Sequence, residues 1–298
     1  MRRVVMLSSG AGSWAAAKRV AERHGTDGLT LLFADTLIED EDNYRFLIEA
    51  SADVFGVTGL PEWLLRPDLP PIDDLLARRS LLLALAEYAM DAIPGLEWIV
   101  ERRDPWQVFK DVRFLGNTRV DPCSRILKRE LLRKWLDDTH EPDATVVYLG
   151  FDWSEIHRME RAAKHWEPWA VEAPMCERPY MSKRDALAWL RSEGIEPPRL
   201  YAAGFQHANC GGFCVKGGQA HFATLLRFDR DRYLYHEQKE EELREYLGSD
   251  VAIMRDRTGG DVKPLTMREF RERQEQQLGF DEMDFGSCSC FSPGEDAA

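Results

Sequence analysis

Apolar and polar positions alternate in blocks that read as strands and helices in turn. Residues 3–7, "RVVML", form a short continuous apolar run of the kind that fills a buried strand, and "SWAAAKRVAERHG" then shows a helical period from Ser13 to near Gly25. A second apolar run, "LTLLFADT" (29–36), ends in polar residues. Strand, turn, helix and strand make a βαβ unit, which normally crosses over right-handedly into a parallel sheet. Further on, "CSRILKRELLRK" (123–134) is an amphipathic helix with Ile126, Leu127, Leu131 and Leu132 toward the core, and "VVYLG" (146–150) is another strand closed by a glycine. The predicted fold class is α/β, with a doubly wound, mainly parallel sheet.

Beyond residue 175 the pattern changes to turns, a helix from about Lys183 to Ser192, a Pro-rich extended segment, a cysteine- and glycine-rich loop and two charged helical stretches. The expected organisation is a nucleotide-binding α/β domain over 1–175 and a C-terminal extension over 176–298.

Composition narrows the classes. The 298 residues can bury a substantial core, and 44% hydrophobic with 31% charged residues is the balance of an ordinary soluble protein. No apolar run is long enough to cross a bilayer and no secretory leader is evident, so a cytoplasmic protein without a membrane partner is expected. A net charge of -13 argues against unspecific coating of nucleic acid, though a local basic face can still bind phosphate.

The small residues at 8–13, "SSGAGS", sit where a parallel sheet places its ligands, beyond a strand's carboxyl end. Gly10 and Gly12 permit positive φ and close approach, first-turn amides point outward, and the hydroxyls of Ser9 and Ser13 add donors. That suits a phosphate group. On the turn alone, an ordinary strand-to-helix turn capped by Ser13 serves equally well. Neither a Walker pattern nor GxGxxG is present.

Four segments in order resemble the adenine nucleotide alpha-hydrolase (PP-loop ATP pyrophosphatase) superfamily, in its phosphoadenosine phosphosulfate (PAPS) reductase-like branch. "SSGAGS" is similar to the SGGxDS pyrophosphate loop, with Gly12 for the usual Asp. "FADTLIEDEDNYRFL" resembles the second-strand segment, "DPCSRILKRELL" the Cys-Ser-x-x-Leu-Lys segment, and "VVYLGFDWSEIHRMERA" the strand and Gly-led loop that follow. The resemblance spans residues 4–165. It implies a nucleotide site made by Ser9, Gly10, Ala11, Gly12, Ser13, Asp35, Thr36, Arg125 and Gly150. It also implies that Lys128 and Arg158 neutralise charge at phosphorus, with Cys123 as a further catalytic candidate.

The residues allow plainer readings beside these. Asp35 and Thr36 can simply cap a turn. Glu39, Asp40, Glu41 and Asp42 read as a solvated helix start, with Glu39 alone a candidate for substrate or magnesium. Arg125 and Lys128, three apart on one helical face, can clamp an anion or belong to a solvated face. Cys123 can be a thiolate of lowered pKa at a helix start or a structural cysteine. Glu155 and Arg158 can be an ordinary intrahelical ion pair.

Cysteines carry the chemistry of the second half. Cys210 and Cys214, with Cys288 and Cys290, are two close pairs in Gly- and Ser-rich turns, a set able to bind zinc or an iron–sulfur cluster or to remain as unligated thiols. His207 is a substitute ligand, Cys176 reads as structural, and Lys216 lies in a loop placed to close over the nucleotide.

By resemblance the expected function is an ATP pyrophosphatase-type enzyme. It would use ATP and Mg2+ to adenylate an acceptor for sulfur or nitrogen transfer. The acceptor would be tRNA, DNA or a small molecule, with a sulfur-donor protein as a further partner. Adenylyl-sulfate reduction is the alternative chemistry, although the Glu-Cys-Gly-(Leu/Ile)-His segment of those reductases is missing. A non-catalytic nucleotide-binding module associated with nucleic acid modification is the alternative class.

Overall fold

The structure, a computed structural model, describes residues 1–117, 119–257 and 261–281. Its centre is a five-stranded sheet of β1 (Arg2–Leu7), β2 (Leu29–Asp35), β3 (Leu96–Val100), β4 (Thr145–Leu149) and β5 (Ala170–Glu172). The spatial order is β3-β2-β1-β4-β5 and every pairing is parallel, Val4 lying opposite Thr30 on one side and Val147 on the other. The order reverses between β1 and β4. That is the switch point at which a doubly wound sheet opens a crevice beyond its strand ends.

Helices cover both faces because β1, β2 and β4 are apolar at nearly every position, so side chains of both parities need cover. On one face Val5, Leu7, Leu31 and Phe33 meet α1 (Ala11–His24), α2 (Glu41–Phe55), α3 (Glu62–Leu65), α4 (Leu75–Ala92) and, from beyond the predicted boundary, α9 (Lys183–Ser192). On the other face Val4, Met6, Leu32 and Val147 meet α7 (Leu131–Thr139) and α8 (Met159–Trp166).

A separate core forms from α10 (Arg199–Ala202), α11 (Gln219–Phe228), α12 (Arg230–Leu247), α13 (Met267–Asp281) and the antiparallel pair β6 (Met254–Asp256) and β7 (Lys263–Leu265). It also takes Ile38 from the loop after β2 and Trp106 and Phe109 from α5 (Pro105–Asp111). Packing therefore does not divide at residue 175. Ala186, Leu190 and Ile195 belong to the first core, whereas Ile38, Trp106, Phe109 and Leu115 belong to the second. Among the described residues no helix is long and apolar enough to cross a membrane.

The amphipathic segment is one helix in three windings: α6 (Pro122–Ser124), a π-helical turn (Arg125–Glu130) and α7. Asp121 precedes it and Pro122 occupies its first turn, where a missing N–H costs nothing. The wide turn changes which side chains share a face, with consequences for the site.

Candidate functional site

A cavity of about 1020 Å3 opens at the switch point, walled by the loop after β1, by Thr36, by the π turn, by the loop after β4 and by residues 182–184 and 201–216. Its lining carries Lys128, Arg129, Arg158, Lys183, Arg184 and Lys216 against Asp121, Asp152 and Glu155. In a chain of net charge -13 this cavity is a local cationic surface and so favours an anionic ligand.

The loop after β1 differs in detail from its prediction. Helix α1 begins at Ala11 with Gly10 as its N-cap, and Ser13 lies inside the first turn. The residue with positive φ is Ser9 at 50°, while Gly10 sits at φ -126°. The serine hydroxyls are occupied internally. Ser9 donates to the Ser8 carbonyl at 2.7 Å, and Ser13 donates to the Gly10 carbonyl at 2.9 Å while accepting from the Ser8 amide at 3.1 Å. Ser8, Gly10, Gly12 and Ser13 line the cavity, whereas Ser9 and Ala11 do not. No acidic residue stands in the first turn of α1, which leaves its positive end uncompensated.

Gly12 and Gly150 are where close approach is required. A Cβ on Gly12 would lie 2.8 Å from the Gly150 carbonyl oxygen, and one on Gly150 would lie 2.7 Å from the Ser13 amide nitrogen and Cα. The loops after the two central strands touch backbone to backbone, so an aspartate at position 12 has no room.

Asp35 and Thr36 part ways. Thr36 lines the cavity and donates to Glu39 at 3.2 Å. Asp35 points into the core, accepting from the Leu37 amide at 2.7 Å, the Tyr44 hydroxyl at 2.9 Å and the Trp98 indole at 3.2 Å. Burial raises its pKa to about 6 against those bonds. Its prediction as a nucleotide contact is corrected to a core anchor.

The acidic run is solvated only in its second half: Glu39 and Asp40 are fully buried, Asp42 is half-buried and Glu41 is exposed. Arg78 on α4 donates to the carbonyls of Leu37 and Glu39, and Arg232 on α12 donates to that of Ile38. Asp40 pairs with Arg199 at 2.8 Å. Three arginines from distant segments therefore hold the loop after β2, a role that local sequence pattern does not announce.

Glu39 binds the Lys128 ammonium at 3.2 Å and also accepts from the Cys210 amide. Burial alone would lower the Lys128 pKa, but the Glu39 carboxylate outweighs it, so the amine stays charged. Arg125 does not join Lys128. In an i→i+5 winding residues three apart no longer share a face, and Arg125 pairs outward with Glu130 at 2.6 Å, five residues on. Arg129 lines the cavity in its place. Arg158 lines the cavity while pairing with Glu155 and lying over the Phe151 ring at 4.6 Å.

Cys123, Cys210 and Cys214 all line this cavity. Burial pushes the Cys123 thiol up to about 12 and also raises those of Cys210 and Cys214. Burial thus favours the neutral form of all three, and of the two readings of Cys123 it favours the structural cysteine over the thiolate. Cys210 has φ 56° and is followed by Gly211 and Gly212, both at positive φ. A Cβ on Gly211 would collide with Arg232 and the Ile38 carbonyl, so this turn too requires glycine. Cys288 and Cys290, the other half of the predicted metal set, lie outside the described residues. Among the described residues no group of three or more His, Cys, Asp and Glu side chains is arranged to hold a metal ion. Cys176 faces the carbonyls of Phe151 and Asp152, a structural placement.

Lys183, Arg184, Tyr201, Gln206 and Asn209 are lining residues that sequence pattern passed over. Tyr201 packs against both cores, accepts from the Ala11 amide at 3.4 Å and carries the Lys183 ammonium 4.6 Å above its ring. His207, also in the lining, has a buried Nδ1 without a partner. Burial, His221 and the nearby lysines pull its pKa to about 4, so it is neutral.

Compared with protein-family models, with curated proteins and with solved structures, the chain finds no match in any of the three.

Proposed function

We propose that this protein is a PP-loop enzyme of the PAPS reductase-like kind that binds ATP in the switch-point cavity and transfers its adenylyl group to an acceptor. The observation that carries the reading is the small-residue loop Ser8–Ser13, set against Gly150 at the β1/β4 switch and facing a cavity lined by six cations and three carboxylates. The uncompensated α1 N-terminus and Gly10 would receive the phosphates. Lys128, Arg129 and Arg158 would stabilise charge as an acceptor oxygen attacks the α-phosphorus and the bond to pyrophosphate breaks. Sulfur or nitrogen would then displace AMP.

Magnesium would arrive on the nucleotide's phosphates and offset their charge. Asp121 and Asp152 are cavity carboxylates suited to meet it, whereas Glu39 is already engaged with Lys128, Thr36 and Cys210. Zinc or an iron–sulfur cluster at Cys210 and Cys214, completed by Cys288 and Cys290, belongs to the same proposal. Elemental analysis of protein purified without a metal-binding tag tests it.

The deciding experiment is ATP binding and pyrophosphate release with Gly10→Val. Gly10 has extended φ and ψ, and a Cβ there meets the Tyr201 hydroxyl at 3.0 Å and Ser8 Oγ at 3.5 Å. The variant should therefore fold while its branched side chain blocks the phosphate path. Unchanged ATP affinity in the folded variant would reject this site.

A further inference from the structure

The cavity's rim carries an aromatic pair that the nucleotide reading does not use. Trp153 and Tyr180 stack with ring centroids 3.8 Å apart and planes 23° apart, yet remain 40% and 47% exposed. They are fixed to the cavity by their neighbours. The Trp153 amide donates to the Met181 carbonyl at 3.0 Å, and Asp152, Ser154, Ser182, Lys183 and Arg184 all line the cavity.

Cations stand beside the pair. Arg178 lies 6.0 Å from the Tyr180 ring centre. Among the described residues Arg178, Lys183 and Arg184 have no carboxylate at ion-pair distance, although the protein pairs many of its other cations. The local acids are engaged: Asp152 accepts from the amide and hydroxyl of Ser154, and Glu155 pairs with Arg158. A flat, exposed π surface flanked by cations that no carboxylate neutralises, although Lys183 also donates to the Gln206 carbonyl, suits a ligand with flat rings joined by phosphates. The cavity volume, about 1020 Å3, lies at the top of the roughly 300–1,000 Å3 range of small-molecule sites, which leaves space beside one nucleotide.

We propose that the acceptor is a single-stranded nucleic acid, with one base stacking on the Trp153–Tyr180 rim and its backbone phosphates taken by Arg178 and Arg184. The inference rests on the cavity being the nucleotidyl-transfer site, since the rim then delivers the strand to that cavity. Stacking of this kind is tolerant of sequence and requires unpaired bases, because a duplex keeps its ring faces covered.

The test is fluorescence anisotropy with labelled single-stranded RNA and DNA oligonucleotides and the matching duplexes, over a range of salt. The full chain should bind a single strand more tightly than a duplex, and a preference for RNA or for DNA supports the proposal while identifying the sugar. Trp153→Ala/Tyr180→Ala should weaken single-strand binding by roughly 5- to 150-fold, the effect of losing a base–aromatic stack. Trp153→Phe should retain most of it. Arg184→Ala should flatten the salt dependence. ATP affinity, measured in parallel, should not change in the aromatic double variant. Absent oligonucleotide binding, equal duplex binding, or unchanged affinity in the double variant would overturn the proposal. Loss of ATP affinity in the double variant would instead make the pair the seat of adenine. That outcome overturns the inference while leaving the nucleotide reading, which Gly10→Val tests separately.

Discussion

On the wall that follows β1 and β4, backbone lies against backbone, and Gly12 and Gly150 are there because a single carbon more would not fit. On the opposite wall, side chains do the holding: Lys128 reaches Glu39 across 89 residues of chain, and Glu39 takes the Cys210 amide across 171. The first wall fails by steric excess and the second by loss of a charge partner. A rigid backbone surface suits a phosphate, which needs fixed donors. A wall of side chains contributed by both cores can couple what binds in the cavity to the packing of the C-terminal elements.

The largest effect should come from the charged wall. Lys128→Met leaves the Glu39 carboxylate buried without its cation, and removing one partner of such a pair costs about 3–5 kcal/mol. Urea unfolding measures it, and a loss below about 1 kcal/mol would show that the wall does not depend on the pair.

Each core also contains a buried carboxylate whose titration should separate the two regions. Burial raises Asp35 in the first core from 3.8 to about 6 and Glu240 in the second from 4.5 to about 7, in each case against hydrogen bonds that favour the charged form. Between about pH 4 and 7 the unfolded chain has released protons that these two carboxyls still hold in the native protein, so their contribution to stability falls as pH rises through that window. His207, His221 and His236, whose pKa values burial lowers, contribute in the opposite direction below about pH 6.5. The two groups together should account for a decline on the order of several kcal/mol. Asp35→Asn should remove the part of the slope between about pH 4 and 6 and leave the part due to Glu240. An unchanged profile would refute the assignment.

The backbone wall comes next. Gly150→Ala places a methyl 2.7 Å from Ser13 and should cost about 1–3 kcal/mol by overpacking. Gly218→Ala, where nothing lies within 4 Å, should stay within about 0.5 kcal/mol. Equal melting temperatures for the two variants would contradict the close contact of the loops.

Arg158→Ala should change stability least. Its pair with Glu155 is exposed, and such pairs contribute about 0–1 kcal/mol. Its effect should appear in binding, where losing a charge-assisted contact weakens ATP by about 1.5–3 kcal/mol in isothermal titration. The reverse pattern, a large loss of stability with ATP affinity intact, would remove Arg158 from the site.

The two walls also differ in how far sequence made them legible. The apolar runs at 3–7, 29–36 and 146–150 and the helix at 183–192 are visible because strands and amphipathic helices are written in neighbouring residues. So was the glycine-rich turn, although not that Ser9 would take the positive φ while the glycines serve contact. Glu39, Arg199 and Tyr201 could not be placed, because their partners Lys128, Asp40 and Ala11 lie 89, 159 and 190 residues away and carry no periodic signal. Arg125 was misplaced for a local reason. Spacing of three implies one face only if the helix is an α-helix, and the turn at Arg125–Glu130 is not.

That wide turn also governs how the segment tolerates insertion and deletion. A π turn accommodates one residue more than the α-helical turn it replaces, and each residue turns an α-helix by about 100°. Deleting any one residue between Arg125 and Glu130 would let the segment relax to regular winding with α7 still in phase, because five α-helical residues turn through about the same angle as six in the wider winding. Leu132 and Leu136 would stay packed beneath the sheet with Val147 and Trp166, while the set of side chains that the turn presents to the cavity, Lys128 and Arg129, would change. The length of this six-residue stretch is therefore constrained by the cavity it faces and not by the packing of α7.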